Sequence, residues 1–146
     1  MELWELTARE AIRETVASYA HLVDSGRFDD VVDLFTADGV LEVKGREPAV
    51  GHDGLRAFFR GVGDDLAETT TVPLIRHYTS NLSIDVVGRY EANARCYFLA
   101  LTETGVDHWG RYRDRLVPSD DGRWRFASRF VRTDGVVPGG WAETRV

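Results

Sequence analysis

The sequence has very little cysteine and no long apolar run. Cys96 is the only cysteine among 146 residues, so the chain cannot form an internal disulfide bond. It lies in the apolar run RCYFLAL, which favours a buried and unreactive thiol. No segment is apolar for long enough to span a membrane, and the opening residues MELWELTARE lack the basic and apolar regions of a signal peptide. We therefore expect a cytoplasmic protein with no membrane partner.

An excess of positive charge is also missing. The formal net charge is −6, and Lys44 is the only lysine. A nucleic-acid-binding protein needs a basic surface that contacts the phosphates. We therefore do not expect this negatively charged protein to bind nucleic acid.

Several motifs of well-known chemistry are absent. The sequence contains no G-x-S-x-G elbow, no phosphate-binding P-loop and no G-x-G-x-x-G. The four histidines share no metal-ligand spacing, so we expect neither zinc nor iron. We expect His21 to be solvated and His52 to be a loop or cap residue. His108 could line the mouth of the pocket, but the sequence favours a turn residue.

The first half of the chain has helical periodicity. Ile12, Val16, Tyr19 and Val23 form one apolar stripe, and Gly26 is a plausible stop. A short second helix follows in GRFDDVVDLFTADG, then a strand in DGVLEVKG and a third helix in GHDGLRAFFRGVGDDL. The segment AETTTVP is predicted to be a polar connection.

The second half has strand periodicity. Four segments of strand length follow one another: LIRHYTSNLSIDVVG, RYEANARCYFLALTETG, HWGRYRDRLVPSDDG and RWRFASRFVRTDG. Helices followed by a meander of strands indicate a single α+β domain spanning residues 1–146. We expect a strongly curved sheet of four or five mainly antiparallel strands, wrapped around the N-terminal helices and enclosing a conical apolar pocket.

The order of these elements and four stretches of sequence resemble a known family. LVDSGRFDDVVDLFTADGVL, RHYTSNLSI, GRYRDRLV and GRWRFASRFVRTDG are similar to the SnoaL-like branch of the nuclear-transport-factor-two-like superfamily. The pattern is most similar to scytalone dehydratase, bile-acid dehydratase and hexachlorocyclohexane dehydrochlorinase. The resemblance implies a cystatin-like, SnoaL-like barrel and elimination of a small leaving group from a hydrophobic ring, without a metal or an organic cofactor.

The resemblance also implies site residues. The family's strand histidine falls on His77, its helix-end aspartate on Asp24, its first-helix polar residue on Tyr19 and its last-strand arginine on Arg129. One feature departs from the dehydratases, because the strand ARCYFLALTE carries no histidine or carboxylate at the position of their second titratable group.

These residue types suit proton abstraction. A neutral imidazole held by a carboxylate can act as a base near neutral pH, which would be the roles of His77 and Asp24. Tyr19 lies in the apolar stripe, where its hydroxyl could donate to a substrate oxygen, and Arg129 could hold an oxyanion. Each residue taken alone has a simpler interpretation: a polar strand histidine, a surface carboxylate, core packing and a solvated arginine.

The expected pocket walls are aromatic and aliphatic residues of three elements: Phe58, Phe59, Tyr97, Leu99 and Trp109. The sequence thus predicts a dehydratase-like lyase acting on a hydrophobic cyclic small molecule. It leaves open an isomerase or cyclase of polyketide-like rings that uses the same base, and a non-catalytic ligand-binding or subunit-interaction domain. Arginines on one face of DHWGRYRDRL, together with the family's habit of assembly, predict a homo-oligomer, either a dimer or a trimer.

Overall fold

Three helices come from the first half of the chain. The computed structural model describes residues 1–68 and 74–145, so most of the predicted polar connection AETTTVP lies outside the described residues. Helix α1 spans Leu3–Asp24, α2 spans Phe28–Val32 and α3 spans Gly51–Ala67. The predicted stop after α1 is present: Gly26 has a φ of +68° and its amide donates to the carbonyl of Val23.

Six strands form one curved sheet. They are β1 (Phe35–Val43), β2 (Ala49–Val50), β3 (Arg76–Gly88), β4 (Glu91–Thr102), β5 (Gly105–Pro118) and β6 (Trp124–Val136). Their order in the sheet is β2-β1-β6-β5-β4-β3. Among the described strands only β1 and β6 pair in parallel, and the other pairs are antiparallel.

Two expectations about the sheet need correction. It has six strands rather than four or five, because the short β2 adds an edge strand that was not predicted. Phe35 also begins β1 instead of ending the second helix. The sheet is also not a closed barrel: within the described ranges β2 and β3 remain as free edges. The expected α+β class and mainly antiparallel curved sheet are confirmed.

The core fills the space between the helices and the concave face of the sheet. The inner stripe of α1 includes Ile12, Val16 and Tyr19, and it packs with Phe35 and Phe126 from the two parallel strands. Burial of this stripe is the main force that holds α1 across the sheet. No helix in the described part of the chain combines the length and apolarity needed to cross a membrane.

Extra residues in the strands bend the sheet. On β3, Ser80 pairs with Tyr97 and Ser83 with Arg95, so two residues of β3 lie opposite one residue of β4. Asn81 occupies this bulge with a φ of +56°. Asparagine tolerates this left-handed conformation better than most residues, which explains its position in the stretch RHYTSN.

We expect Asn81→Val to lower the free energy of unfolding by about 1–3 kcal/mol, because a β-branched residue is strained at positive φ. Asn81→Gly should be close to neutral. Urea unfolding measures both, with Ser83→Val as a control on an exposed position of the same strand outside the left-handed region. Equal stability of Asn81→Val and the wild type would show that the bulge is not strained.

Candidate active site

A cavity of about 370 Å³ lies between the helices, the concave sheet face and the C-terminal segment. Its walls are largely apolar and include Phe58 and Phe59 of α3, Phe98 of β4 and Trp141 near the C-terminus. Phe58 and Phe59 therefore lie where the sequence analysis places them, although their contact with a substrate stays a prediction. Polar side chains also line the cavity: Asp24 and Ser25 at the end of α1, His77 on β3, His108 on β5, and Arg46, Asp65, Thr133 and Arg145.

His77 and Asp24 meet in the wall of this cavity. Asp24 is the last residue of α1, and His77 is the second residue of the edge strand β3. One carboxylate oxygen of Asp24 accepts from the His77 ring Nδ1 at 2.5 Å, and the other accepts from the His77 backbone amide at 2.9 Å. An ionised carboxylate can only accept, so the Nδ1 of His77 carries a proton and its Nε2 is free to receive one.

A second imidazole–carboxylate pair lies nearby, and its imidazole lines the same cavity. His108 and Asp107 on β5 are both buried, with 8% and 2% of their surfaces exposed, and the ring Nδ1 lies 2.8 Å from the Asp107 carboxylate. The expectation that His108 is a turn residue is wrong. Neighbouring strand residues normally point to opposite faces, but Asp107 is an extra residue in a bulge, because Val106 and His108 pair with consecutive residues of β4.

The two imidazoles come close because the residue between them is small. Ala100 of β4 pairs with His77 on one side and with His108 on the other. The ring centroids of the two histidines are 6.1 Å apart and the planes are nearly perpendicular, at 80°. Burial lowers the pKa of His108, and the nearby His77 adds to this effect while Asp107 opposes it. His108 is therefore neutral at pH 7, with its Nε2 available as an acceptor.

The cavity wall thus holds a second titratable group, although the sequence analysis finds none on the strand ARCYFLALTE. This group comes from the next strand, at the position across from Ala100. The dipeptide DH at 107–108 is the only sequence signal for it, and its inward direction depends on the bulge.

Tyr19 of α1 is a buried tyrosine in the wall of the cavity, and its hydroxyl is protonated. Its side chain lines the cavity and is 7% exposed. Burial raises the pKa of Tyr19 and the Arg129 guanidinium lowers it, with a net rise above the ordinary value. The phenol is thus a hydrogen-bond donor across the physiological pH range.

Arg129 does not reach the cavity, which corrects its expected contact with a substrate oxyanion. It is completely buried beneath the cavity and makes a bidentate pair with Asp114 at 2.7 and 2.9 Å. Its guanidinium also lies over the rings of Tyr19 and Tyr112, at 4.3 and 4.0 Å from their centroids. Its inward direction on β6 is as expected, but Tyr19 and Tyr112 separate its charge from the cavity.

Tyr97, Leu99 and Trp109 do not line the cavity, which corrects their expected role as walls. Tyr97 and Trp109 are 55% and 41% exposed, and all three lie outside the cavity lining. Glu91, Asn93 and Arg95 share the face of Tyr97 and Leu99, so the alternation along EANARCYFLAL was a signal for the outer face that the pocket prediction did not use. The structure buries Cys96, Phe98 and Ala100 instead. Assembly of the chain through the outer face of the sheet stays a prediction.

The remaining histidines lie elsewhere. His21 is exposed on α1, as expected. His52 is in the first turn of α3, with its Nε2 3.0 Å from the carbonyl of Phe35. Within residues 1–68 and 74–145, no three histidine, cysteine, aspartate or glutamate side chains are grouped so that they could hold a metal ion.

Comparison with known proteins identifies the family. The SnoaL-like domain matches residues 4–130. The chain belongs to the SnoaL-like family. Members of this family are typically enzymes, with dehydratase, cyclase and isomerase activities. No curated protein sequence matches the chain.

Solved structures with this SnoaL-like fold are similar over nearly the whole chain. A candidate scytalone dehydratase from Novosphingobium aromaticivorans is 27% identical with a TM-score of 0.80, covering 94% of this chain and 91% of that chain. A protein from Catenulispora acidiphila, solved in complex with S-DNPA, is 31% identical with a TM-score of 0.73 and coverages of 86% and 92%. A candidate aromatic ring hydroxylase from N. aromaticivorans is 27% identical with a TM-score of 0.71 and coverages of 89% and 91%.

We expect Arg129→Met to lower the free energy of unfolding by about 3–5 kcal/mol, because it leaves the buried carboxylate of Asp114 without its partner. The double variant Arg129→Met/Asp114→Leu should recover part of this loss. Urea unfolding measures the series, and Arg111→Met, which removes an exposed partner of Asp134, is the surface control. A normally stable Arg129→Met protein would contradict the structural role.

We expect His108 to make the fold less stable in acid. Its folded-state pKa is lowered, so the unfolded chain, where the histidine pKa is about 6.5, binds a proton more readily. This contribution to stability is present above that value and is lost as the pH falls below it. The loss of unfolding free energy between about pH 7.5 and pH 5.5 should be smaller in His108→Gln than in the wild type, whereas exposed His21→Gln should keep the wild-type loss. An unchanged loss in His108→Gln would refute the expectation.

Proposed function

We propose that this protein is a cofactor-independent lyase that removes water or a related small leaving group from a hydrophobic cyclic substrate. The observation that carries the proposal is the pair of imidazoles, each held by its own carboxylate, with ring centroids 6.1 Å apart in the wall of an apolar cavity. Membership of a family with dehydratases and similarity to a candidate scytalone dehydratase support the same reaction class.

His77 is the proposed base. Asp24 holds both its backbone amide and its ring, which leaves Nε2 free for a proton from a substrate carbon next to a carbonyl group. The short Nδ1 contact stabilises the imidazolium that forms when this proton arrives. Because Asp24 lies at the C-terminal end of α1, where the helix dipole disfavours an anion, the positive ring also stabilises the carboxylate.

The other polar groups act on the substrate oxygens. As the carbon–hydrogen bond breaks, negative charge develops on the substrate carbonyl, and the protonated hydroxyl of Tyr19 is the proposed donor to that oxygen. The neutral Nε2 of His108 is an acceptor, so it can orient a substrate hydroxyl group. Arg129 has no role at the substrate in this proposal and supports the floor of the cavity.

The proton balance closes within the site. His77 takes the proton from carbon, the electron pair of that bond becomes an enolate, and the enolate then forms a carbon–carbon double bond as the bond to the leaving oxygen breaks. The imidazolium of His77 returns its proton to the leaving hydroxyl, which departs as water. The base is thereby restored without an external oxidant or metal.

The cavity restricts the substrate to a compact and largely apolar ring system. Its volume of about 370 Å³ is near the lower end of the roughly 300–1,000 Å³ that is usual for ligand sites. The perpendicular rings of Phe58 and Phe59 offer both a face and an edge to a flat substrate. A sugar or a nucleotide would leave most of its polar groups unpaired against these walls.

An isomerase or cyclase reaction would use the same groups. If the imidazolium of His77 returned its proton to a different carbon, no leaving group would be needed. The same cavity and the same tautomer of His77 support this alternative. The mass of the product separates the reactions, because elimination releases water and isomerisation leaves the mass unchanged.

We expect the purified protein to dehydrate members of a panel of cyclic β-hydroxy ketones, as followed by mass spectrometry. His77→Gln should lower kcat/KM by about 10²–10⁴-fold, because it removes the base while keeping a side chain of similar length. His21→Gln is the matched control, since it removes an exposed histidine from α1.

Full activity of a folded His77→Gln protein would disprove the assignment of the base. Binding of panel members in the cavity with no change in any of them, in the wild type, would instead favour the ligand-binding domain. Circular dichroism of each variant separates a lost base from a lost fold.

A further inference from the structure

Asp107 contacts both the His108 ring and the C-terminal segment of the chain. One of its carboxylate oxygens accepts from the Trp141 amide at 2.6 Å, and the other accepts from the Ala142 amide at 3.1 Å and from the His108 ring at 2.8 Å. These three donors satisfy a carboxylate that is almost fully buried, with 2% of its surface exposed.

The C-terminal segment 137–145, here called the strap, forms part of the cavity wall. It contains a 3₁₀ helix at Trp141–Thr144, and Trp141 and Arg145 line the cavity. The strap is anchored through residue 107, whose carbonyl also accepts from the Val137 amide at 2.9 Å. The guanidinium of Arg46 donates to the Arg145 carbonyl at the far end of the strap.

We infer that Asp107 is a positioning residue that couples the closed strap to the tautomer of His108. With the strap closed, the carboxylate is oriented by two backbone amides and places an oxygen on the Nδ1 of His108, which keeps the proton there and leaves Nε2 facing the cavity. When the strap opens, Asp107 loses two of its three donors and its orientation toward the ring. The acceptor at His108 is therefore assembled only when the cavity is covered.

The role of His108 in this inference rests on the proposed function, but the coupling itself does not require turnover. Its geometry is independent of any substrate, because it connects one bulge residue, one ring and two amides. A carboxylate that only capped the 3₁₀ helix would protect the two amides and leave the histidine tautomer unaffected, which gives the two interpretations different spectroscopic results.

The test uses nitrogen NMR of the His108 ring and hydrogen exchange of the Trp141 and Ala142 amides at about pH 7.5, where His108 is neutral. In the wild type we expect a protonated Nδ1, an unprotonated Nε2 and two protected amides. In Asp107→Asn, the side chain offers one acceptor oxygen and an NH₂ donor. The ring proton should then move to Nε2, and at least one of the two amides should exchange about tenfold faster or more.

Asp134→Asn is the matched control, because it neutralises a more exposed aspartate on β6 that pairs with Arg111. It should leave both the ring and the strap amides unchanged. Gly140→Ala tests the coupling from the strap side, since a methyl group there would lie 3.0 Å from the Asp107 carboxylate. Because coupling is reciprocal, this variant should also shift the His108 ring signals.

An Nε2-protonated His108 in the wild type would overturn the inference, as would an unchanged tautomer in folded Asp107→Asn. If Asp107→Asn does not fold, Gly140→Ala decides: faster exchange of the strap amides with unchanged His108 signals would overturn the coupling. Absence of any turnover together with the expected tautomer change would instead refute the proposed function and leave the coupling intact.

Discussion

The contact between Asp24 and His77 joins the two halves of the chain. Asp24 ends α1, and His77 lies near the start of the edge strand β3, where a backbone amide would otherwise face no partner strand. The carboxylate accepts from this amide and from the ring of the same residue. The contact thus caps a free sheet edge, orients the end of the helix and fixes the tautomer of the proposed base. Stability and chemistry depend here on the same hydrogen bonds.

Charge in the interior is divided between two levels. Beneath the cavity, Arg129 and Asp114 neutralise each other in full burial, and the rings of Tyr19 and Tyr112 cover the guanidinium. Above these rings, the imidazoles face the open cavity. A buried ion pair of this kind is costly to break, and these rings lie between it and the cavity. The resemblance to the family therefore located Arg129, but the role of this arginine depends on the residues that surround it.

Bulges in the strands decide which groups reach the cavity. The extra residue at Asp107 turns two neighbouring side chains toward the same face, and the small Ala100 leaves room for the two histidine rings. The similar SnoaL-like structures show that this curved sheet is shared over nearly the whole chain at 27–31% identity. The fold is thus common to these proteins, whereas the walls and polar groups of the cavity depend on the side chains of this chain.

Much of the fold could be predicted from the sequence, because hydrophobic period and turn residues are local properties. The periods of α1 and α3, the stop at Gly26 and the four long strands all follow from neighbouring residues. The match of Asp24 and His77 to the family motif also predicted a pair that the structure brings into contact. The parallel pairing of β1 with β6 was not predictable in this way, because it joins strands that are distant in the sequence.

The tertiary structure alone decided the composition of the site. Alternation of Asn93 and Arg95 with Ala94 and Cys96 was a signal for the direction of the β4 side chains, but it could not show which inward residues line a cavity. It also could not place His108, because its direction depends on the bulge at Asp107 and on the register with Ala100. Residue types determined what chemistry is available, whereas strand register and bulges determined which of those residues share one cavity. The physical reason is that the register of a strand determines the face of the sheet to which each side chain points. A single extra residue turns the side chains that follow it to the opposite face.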